Sequence, residues 1–273
     1  MTRRVLKKIA LWLYAAFVLV PVAVLVVTSL SGPAAGSTLF PRHVTFRSYV
    51  EAFTKIPLLR HISNSVIVGI SSTLIAVAVS ILAAYAVTRF TFRGRNIFRG
   101  TILATQMLPG ILFLLPLLLI YLNITRVTGF PLYGTLIGLI ITYLTFALPF
   151  CVWMMSSFFA TLPIEIDEAG RIDGLGRMGV LWYLVLPLTR PGIAAVGVYA
   201  FLTAWGEVLF AAVMTTPNTR TVGIALQSYA TQMAVRWDQV TAAAIVITIP
   251  VIAAFLFVQR QFIAGLASGA VKG

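Results

Sequence analysis

The chain has 273 residues, 60% of them hydrophobic and only 10% charged, with a formal net charge of +13. So little charge on so apolar a chain leaves no water-exposed basic face for nucleic acid and points to a polytopic membrane protein, with Lys and Arg concentrated on its cytoplasmic loops. The single cysteine, Cys151, lies in an apolar run and excludes an internal disulfide or a cysteine-rich metal site.

Six runs are long enough to cross ~30 Å of hydrocarbon, which takes about 20 helical residues. They are Ile9 to Leu30, Ile62 to Thr88, Thr101 to Ile124, Tyr133 to Phe159, Gly192 to Met214 and Val240 to Val258. The first follows MTRRVLKK and is read as a retained span, because it is long and lacks a small-residue cleavage site. Between the first two spans, Gly32, Pro33, Pro41 and Pro57 predict an irregular connector, with SYVEAF, Ser48 to Phe53, as a short interfacial helix. The basic turn from Arg89 to Gly100 joins the second and third spans and is read as a topology signal. Pro109, Pro116, Pro149 and Pro250 fall within spans and predict bent helices in a packed bundle. Of the five tryptophans, Trp12, Trp153, Trp182, Trp205 and Trp237, most fall near span ends, where an interfacial belt is expected.

A cytoplasmic N-terminus places thirteen of the twenty cations inside, among them Arg3, Arg4, Lys7, Lys8, Arg89, Arg93, Arg95 and Arg99. Both termini then face the cytoplasm, and so does Thr161 to Pro187, a polar island between the fourth and fifth spans. It carries Glu165, Asp167, Glu168 and Asp173, four of the chain's seven acids. Such a cluster cannot lie in lipid, where each charge costs on the order of 3 kcal/mol even on insertion scales. Locally it predicts a short helix capped by Thr161, with Pro163 in its first position, acids in its first turn and Gly174 at its end.

Glu207 is the only charged residue inside the six spans, and His43 and His61 lie outside them. An intramembrane metalloprotease therefore lacks its clustered ligands, and one lone carboxylate is poor evidence for a proton relay. There is no GxxxxGK phosphate loop either. A transport subunit energised by another polypeptide fits these absences, and the chain is not expected to be an enzyme. Glu207 itself faces a water-filled path, hydrogen-bonding sugar hydroxyls, or satisfies backbone or Ser/Thr groups between helices, or reaches the outer interface; all three readings stay open here.

The island carries Glu168-Ala169-Gly170, then Gly174, Leu184 and Leu186-Pro187 at the spacing EAA-x3-G-x9-I-x-LP, and so resembles the signature of binding-protein-dependent ATP-binding-cassette importer permeases. It departs from that pattern at Gly170 for Ala and Leu184 for Ile. The runs Arg171 to Ala211, Val258 to Gly273 and Leu39 to Phe53 are similar to the carbohydrate branch, in particular the smaller permease subunit of maltose-type systems.

The resemblance implies an all-α, six-span type I importer permease in a bacterial or archaeal cell (inner) membrane, a single transmembrane domain over residues 1–273. It implies as partners a homologous second permease, two cytoplasmic ATPases and an extracytoplasmic solute-binding protein, with surrounding lipid and no nucleic acid. No cofactor is expected in this chain; ATP and Mg would be bound by the ATPase. By the same resemblance the coupling residues are Glu165, Glu168, Ala169, Gly170, Asp173, Gly174, Leu184, Leu186 and Pro187, with Gly269, Val271, Lys272 and Gly273 in a C-terminal tail (260–273) reaching the ATPase. Trp205, Gly206 and Glu207 are substrate-path candidates, although the family often has Asn where this chain has Gly206. A sugar is the expected cargo; glycerol phosphate, a polyamine or a secondary carrier are the alternatives.

Overall fold

The computed structural model describes residues 2–32, 44–230 and 236–270, and among these every regular element is helical. The chain divides into two compact units, Met1–Ile62 with Ile224–Ile249, and Ser63–Gly223 with Pro250–Gly273. Among the described residues, five helices are long and apolar enough to cross a membrane: Arg4–Ser29, Leu58–Arg89, Gly110–Thr128, Leu136–Ala160 and Trp237–Gln261. A sixth is obtained if the pair Arg177–Leu188 and Arg190–Trp205, bent by 81°, counts as one broken span.

In the first unit, α1 (Thr2–Ser29) leaves its side chains from Val5 to Val26 largely uncovered, with Trp12 and Phe17 more than two-thirds exposed. A helix apolar all round has no stable surface in water and needs lipid or a partner helix around it. The short α2 (Arg47–Lys55) covers the predicted SYVEAF helix and is strongly amphipathic. Its polar side meets the start of the last helix, α13 (Trp237–Ala270): Ser48 donates to Asp238 at 2.7 Å, Arg236 forks onto both Asp238 oxygens at 2.8 and 2.7 Å, and Gln239 donates to Glu51. These charges are paired and hydrogen-bonded, as burial demands.

The second unit is built on α3 (Leu58–Arg89), α6 (Leu136–Ala160) and α10 (Arg190–Trp205). Its core joins Ala76, Ala84 and Tyr85 of α3, Ala147, Cys151, Met155 and Phe159 of α6, and Val196 and Ala200 of α10. Small residues on α3 and α10 let backbones approach, as packing without a hydrophobic drive in lipid favours. Helix α6 begins cleanly because the Thr135 hydroxyl accepts from the Gly138 N–H at 3.1 Å.

Two predicted spans are interrupted. The run Thr101 to Ile124 is α4 (Arg95–Thr105), a break over residues 106–109, a 3-10 turn Gly110–Phe113 and α5 (Leu114–Thr128). Pro109 has no N–H to continue the helix, and Gly110 follows it. The run Gly192 to Met214 is also broken: α10 ends at Trp205, and α11 (Leu209–Met214) starts after Gly206, Glu207 and Val208. Pro149 and Pro250, by contrast, are carried inside α6 and α13. Four tryptophans are exposed, at Trp12, Trp153, Trp182 and Trp237, whereas Trp205 is buried.

Candidate functional site

The polar island folds as α7 (Glu165–Ile172), α8 (Arg177–Val180), a wide π turn Leu181–Val185 and the single turn α9 (Leu186–Leu188). The expectation that Thr161 caps the first of these is corrected. Thr161 ends α6, its hydroxyl donating to the Phe158 carbonyl at 2.7 Å, and α7 starts at Glu165 with no side-chain cap. What stabilises that end is charge, since Glu165, Asp167 and Glu168 all lie in the first turn, where the helix dipole favours anions.

The other end is as the glycine predicts. Gly174 takes φ +87°, the left-handed conformation that costs glycine least. Its N–H reaches the Arg171 carbonyl at 3.1 Å and the Leu175 N–H reaches the Gly170 carbonyl at 2.9 Å. This is a Schellman closure, which satisfies carbonyls that a helix end otherwise leaves bare.

Helix α7 has two faces with different chemistry. Glu165, Glu168, Ala169, Ile172 and Asp173 are exposed, Ile172 at 86%. Asp167 and Gly170 are buried. At Gly170 there is no room for a side chain, because an added Cβ would stand 2.5 Å from Leu184 Cδ1 and 3.1 Å from Val180 Cγ2. The two positions at which this chain departs from the EAA pattern are thus in contact: the missing methyl at 170 is the space that the Leu184 side chain enters. Leu186 is buried and Pro187 exposed. Pro187 cannot donate to a preceding carbonyl, and the π turn lies immediately before it, where the helix widens.

Asp167 faces the end of α3. Its Oδ2 lies 3.1 Å from Arg89 Nε, with the two side chains only 12% and 9% exposed, a charge pair not aligned as a hydrogen bond. The Tyr85 hydroxyl lies 3.2 Å from both Asp167 Oδ1 and the Arg177 carbonyl, and can donate to either. Arg89 Nη2 donates to the Leu162 carbonyl at 3.2 Å. Arg177 lies over the Phe90 ring, 4.8 Å from its centroid, and Phe90 meets Tyr85 edge-on at 5.7 Å. Removing one partner of such a pair leaves an uncompensated buried charge, which typically costs about 3–5 kcal/mol. Arg95 and Arg99 donate to the Thr88 and Val87 carbonyls at 3.5 and 3.2 Å, so guanidinium groups also cap the last turn of α3.

Sequence reasoning missed this cluster. It read Arg89 as a topology signal and Asp167 as one acid among four. The available signal was geometric, since Asp167 is about 200° round the helix from Glu165 at ~100° per residue and cannot share its face. Tyr85 and Arg89 are four apart and share a face of α3.

The substrate-path candidates are at the second break. Trp205 is buried and stacks on Phe201 of its own helix, with ring centroids 5.4 Å apart. Gly206 is exposed and ends α10. Glu207, expected inside a continuous span, stands in the break, where its two oxygens accept from the backbone N–H groups of Phe210 and Ala211 at 2.8 and 3.0 Å. Of the three sequence readings, the one in which the carboxylate satisfies backbone matches these two bonds. Phe210 in turn packs on Phe146 of α6 at 4.7 Å. Of the tail candidates, Gly269 falls within α13, and Val271, Lys272 and Gly273 lie outside the described residues.

Residues 76–267 match the family model described as "Binding-protein-dependent transport system inner membrane component". The inner membrane ABC transporter permease protein YcjP of Escherichia coli strain K12 is 33% identical over 268 residues, covering 96% of this chain and 94% of that protein. The trehalose transport system permease protein SugB of Mycobacterium tuberculosis is 37% identical over 238 residues, covering 86% and 85%. A crystal structure of a bacterial ABC transporter involved in import of the acidic polysaccharide alginate contains a chain of the same fold, with TM-score 0.79 and 20% identity over 94% of this chain and 95% of that one. The chain therefore belongs to the binding-protein-dependent transport system inner membrane components, the multi-pass permease subunits of ATP-binding-cassette transporters, and is itself a transport subunit, not an enzyme.

Proposed function

We propose that this chain lines one half of the translocation path of an importer for a disaccharide or oligosaccharide, delivered by an extracytoplasmic solute-binding protein and driven by ATP hydrolysis in other subunits. Two copies of a cytoplasmic ATPase bind ATP and Mg, and a homologous second permease completes the path. The termini and the polar island face the cytoplasm. The sugar reading is supported by the similarity to a trehalose permease over most of both chains.

One observation carries the coupling role, namely the outward face of α7. It sets an apolar side chain, Ile172, among the carboxylates Glu165, Glu168 and Asp173. That pattern suits a cleft with an apolar floor and a basic rim on the ATPase. Gly170, Gly174 and Leu184 shape the helix from behind, Ala169 lets the partner come close, and Leu186 and Pro187 anchor its return into the bundle. The tail residues Gly269, Val271, Lys272 and Gly273 are assigned a second contact with the ATPase. At the path itself Gly206 marks the opening, while Trp205 and Glu207 hold the broken helix in shape. Moving a two-state transporter from 1:99 to 99:1 needs about 5.5 kcal/mol of differential binding. The coupling helix is where that difference is delivered.

The test is Glu168→Lys in the complex reconstituted with its ATPase and solute-binding protein in proteoliposomes. Membrane insertion is unchanged and ATP-dependent uptake of labelled trehalose falls more than about tenfold, the usual scale for loss of a coupling interaction. Uptake at the wild-type rate refutes the docking role. Calorimetry of the solute-binding protein against trehalose, maltose, glycerol phosphate and spermidine decides the cargo, and preference for either of the last two removes the sugar.

A further inference from the structure

Chain connectivity gives α7 two neighbours. Residues 161–164 join it to α6, and residues 173–176, with glycine at 174 and 176, join it to α8. The second join is uncovered at its glycines: a Cβ at either would touch nothing within 4 Å. Helix α3 is more than 70 residues earlier in the chain and has no covalent route to α7 except through the whole of α4 to α6. Yet its last turn holds the island at three points. Arg89 holds the Leu162 carbonyl before α7 and Asp167 within it, and Tyr85 lies between Asp167 and the Arg177 carbonyl after it. The contacts come from two residues one turn apart on α3, and both are largely or wholly buried.

A surface helix could be held in place by apolar contacts alone, and Val180 and Leu184 already supply these behind Gly170. A buried ion pair is an expensive way to add more of the same, because its desolvation consumes most of what the attraction returns. What it adds is direction. The charge pair draws Asp167 to Arg89, and the hydrogen bonds beside it, from Tyr85 to Asp167 Oδ1 and from Arg89 to the Leu162 carbonyl, fix the direction of approach, where apolar surfaces slide. Opposite this attachment, on the outer face, lie Glu165 and Glu168.

We infer that Arg89, Asp167 and Tyr85 form a rigid tie through which displacement of the coupling helix is passed to the second membrane span. These are positioning residues, each acting through the placement of α7. The inference rests on the coupling role proposed for α7 and adds the route by which motion leaves it. Pulling on α7 moves α3 directly, in step with α6 and α10, so that the spans at the core of the second unit shift together.

Hydrogen exchange on the permease–ATPase complex reads docking and transmission separately. It is measured without nucleotide and after trapping with Mg-ATP and vanadate. In the wild type, trapping changes exchange both in residues 165–172 and in residues 80–89 at the end of α3. In Asp167→Asn, which keeps the shape and removes the charge, residues 165–172 stay protected by the ATPase, and the response of residues 80–89 falls about tenfold, a scale that reports loss of local coupling. A second variant guards against simple unfolding. In Arg89→Cys/Asp167→Cys the two positions are joined by a short bis-methanethiosulfonate crosslinker, and the native thiol, Cys151, is buried. Crosslinking restores the response of residues 80–89, and dithiothreitol abolishes it again. An unchanged response in Asp167→Asn overturns the tie, as does a crosslinked protein that stays docked and unresponsive. If residues 165–172 gain no protection from the ATPase in the wild type, the coupling role fails, and the tie fails with it.

Discussion

Replacing Gly170 with alanine sets two effects against each other, and the structure decides the sign. Alanine is better than glycine inside a helix by about 1 kcal/mol. Against that gain, the new methyl would stand 2.5 Å from Leu184 Cδ1 and 3.1 Å from Val180 Cγ2. The nearer contact is with the end of a half-buried side chain, so Leu184 can turn away, but it then gives up its own packing. Overpacking of this kind costs about 1–3 kcal/mol. The expected net effect of Gly170→Ala is therefore destabilisation of the island by roughly 1 kcal/mol, close to the middle of the difference.

The informative measurement is the double-mutant cycle. With Leu184→Ala already in place the nearer clash is gone and the 3.1 Å approach of Val180 Cγ2 remains, so Gly170→Ala is close to neutral there and the coupling between the sites is about 1 kcal/mol. Local stability is read from hydrogen exchange of the 165–174 amides in detergent or nanodiscs. Additivity of the two substitutions to within ~0.5 kcal/mol refutes the contact as the reason this chain has glycine at position 170.

Other consequences can be checked with equally simple changes. Glu207→Gln keeps one good acceptor for the N–H pair of Phe210 and Ala211, while Glu207→Ala keeps none; the alanine variant is expected to lose about 0.5–2 kcal/mol, the usual value of a helix cap. If the residue acts by capping, the concentration for half-maximal uptake is the same in Glu207→Gln and the wild type, and a tenfold rise assigns Glu207 a solute contact instead. Glu51 carries a pH prediction. Its hydrogen bond from Arg47, working against burial and joined by Lys55 and Gln239, holds its carboxyl down from 4.5 to about 2. The folded value lies below the unfolded one, so the contribution is fully present above about pH 4.5 and is lost as pH falls through 2. Exchange protection of residues 47–55 accordingly decreases across that window in the wild type, and Glu51→Gln flattens the pH dependence.

Much of the architecture was legible because lipid imposes one length on every span and excludes charge. The helices at Ile9 to Leu30, Ile62 to Thr88, Tyr133 to Phe159 and Val240 to Val258 are all found within longer observed helices or a few residues of their bounds. Hydropathy could not show the breaks, since an apolar run reads the same whether its backbone is helical or interrupted. Five prolines fell inside predicted spans, and three, Pro21, Pro149 and Pro250, are absorbed within helices. Pro116 is in the first turn of α5, where a missing N–H costs nothing. Only Pro109 breaks its span outright, and what sets it apart is the glycine that follows, a pair that marks turns in any context. At the other break the sequence offered Gly206 and a charge beside it. That charge accepts from the N–H groups freed by the interruption, a role that hydropathy alone does not reveal.

The acids of the island show why position on the helix matters more than their number. Counted together, Glu165, Asp167, Glu168 and Asp173 suggest a single anionic surface. Placed on α7 they separate, because Glu165, Glu168 and Asp173 face outward and Asp167 faces Arg89. The two groups must respond differently to the same chemical change. Reversing the sign at Glu168 breaks no bond within the chain; the isolated chain loses only the favourable helix-dipole interaction of the first turn, and the main effect appears in the assembled transporter. Reversing it at Asp167 sets two cations together inside the protein, where repulsion adds to the cost of burial, and the isolated chain already loses stability. Measured on the permease alone in detergent, Asp167→Lys is therefore expected to unfold more easily by at least about 3 kcal/mol, the lower end for breaking a buried pair, while Glu168→Lys loses only about 1 kcal/mol, the scale of an exposed charge at a helix end. Equal effects at the two positions contradict the division of the helix into an outer face for the partner and an inner face for the chain itself.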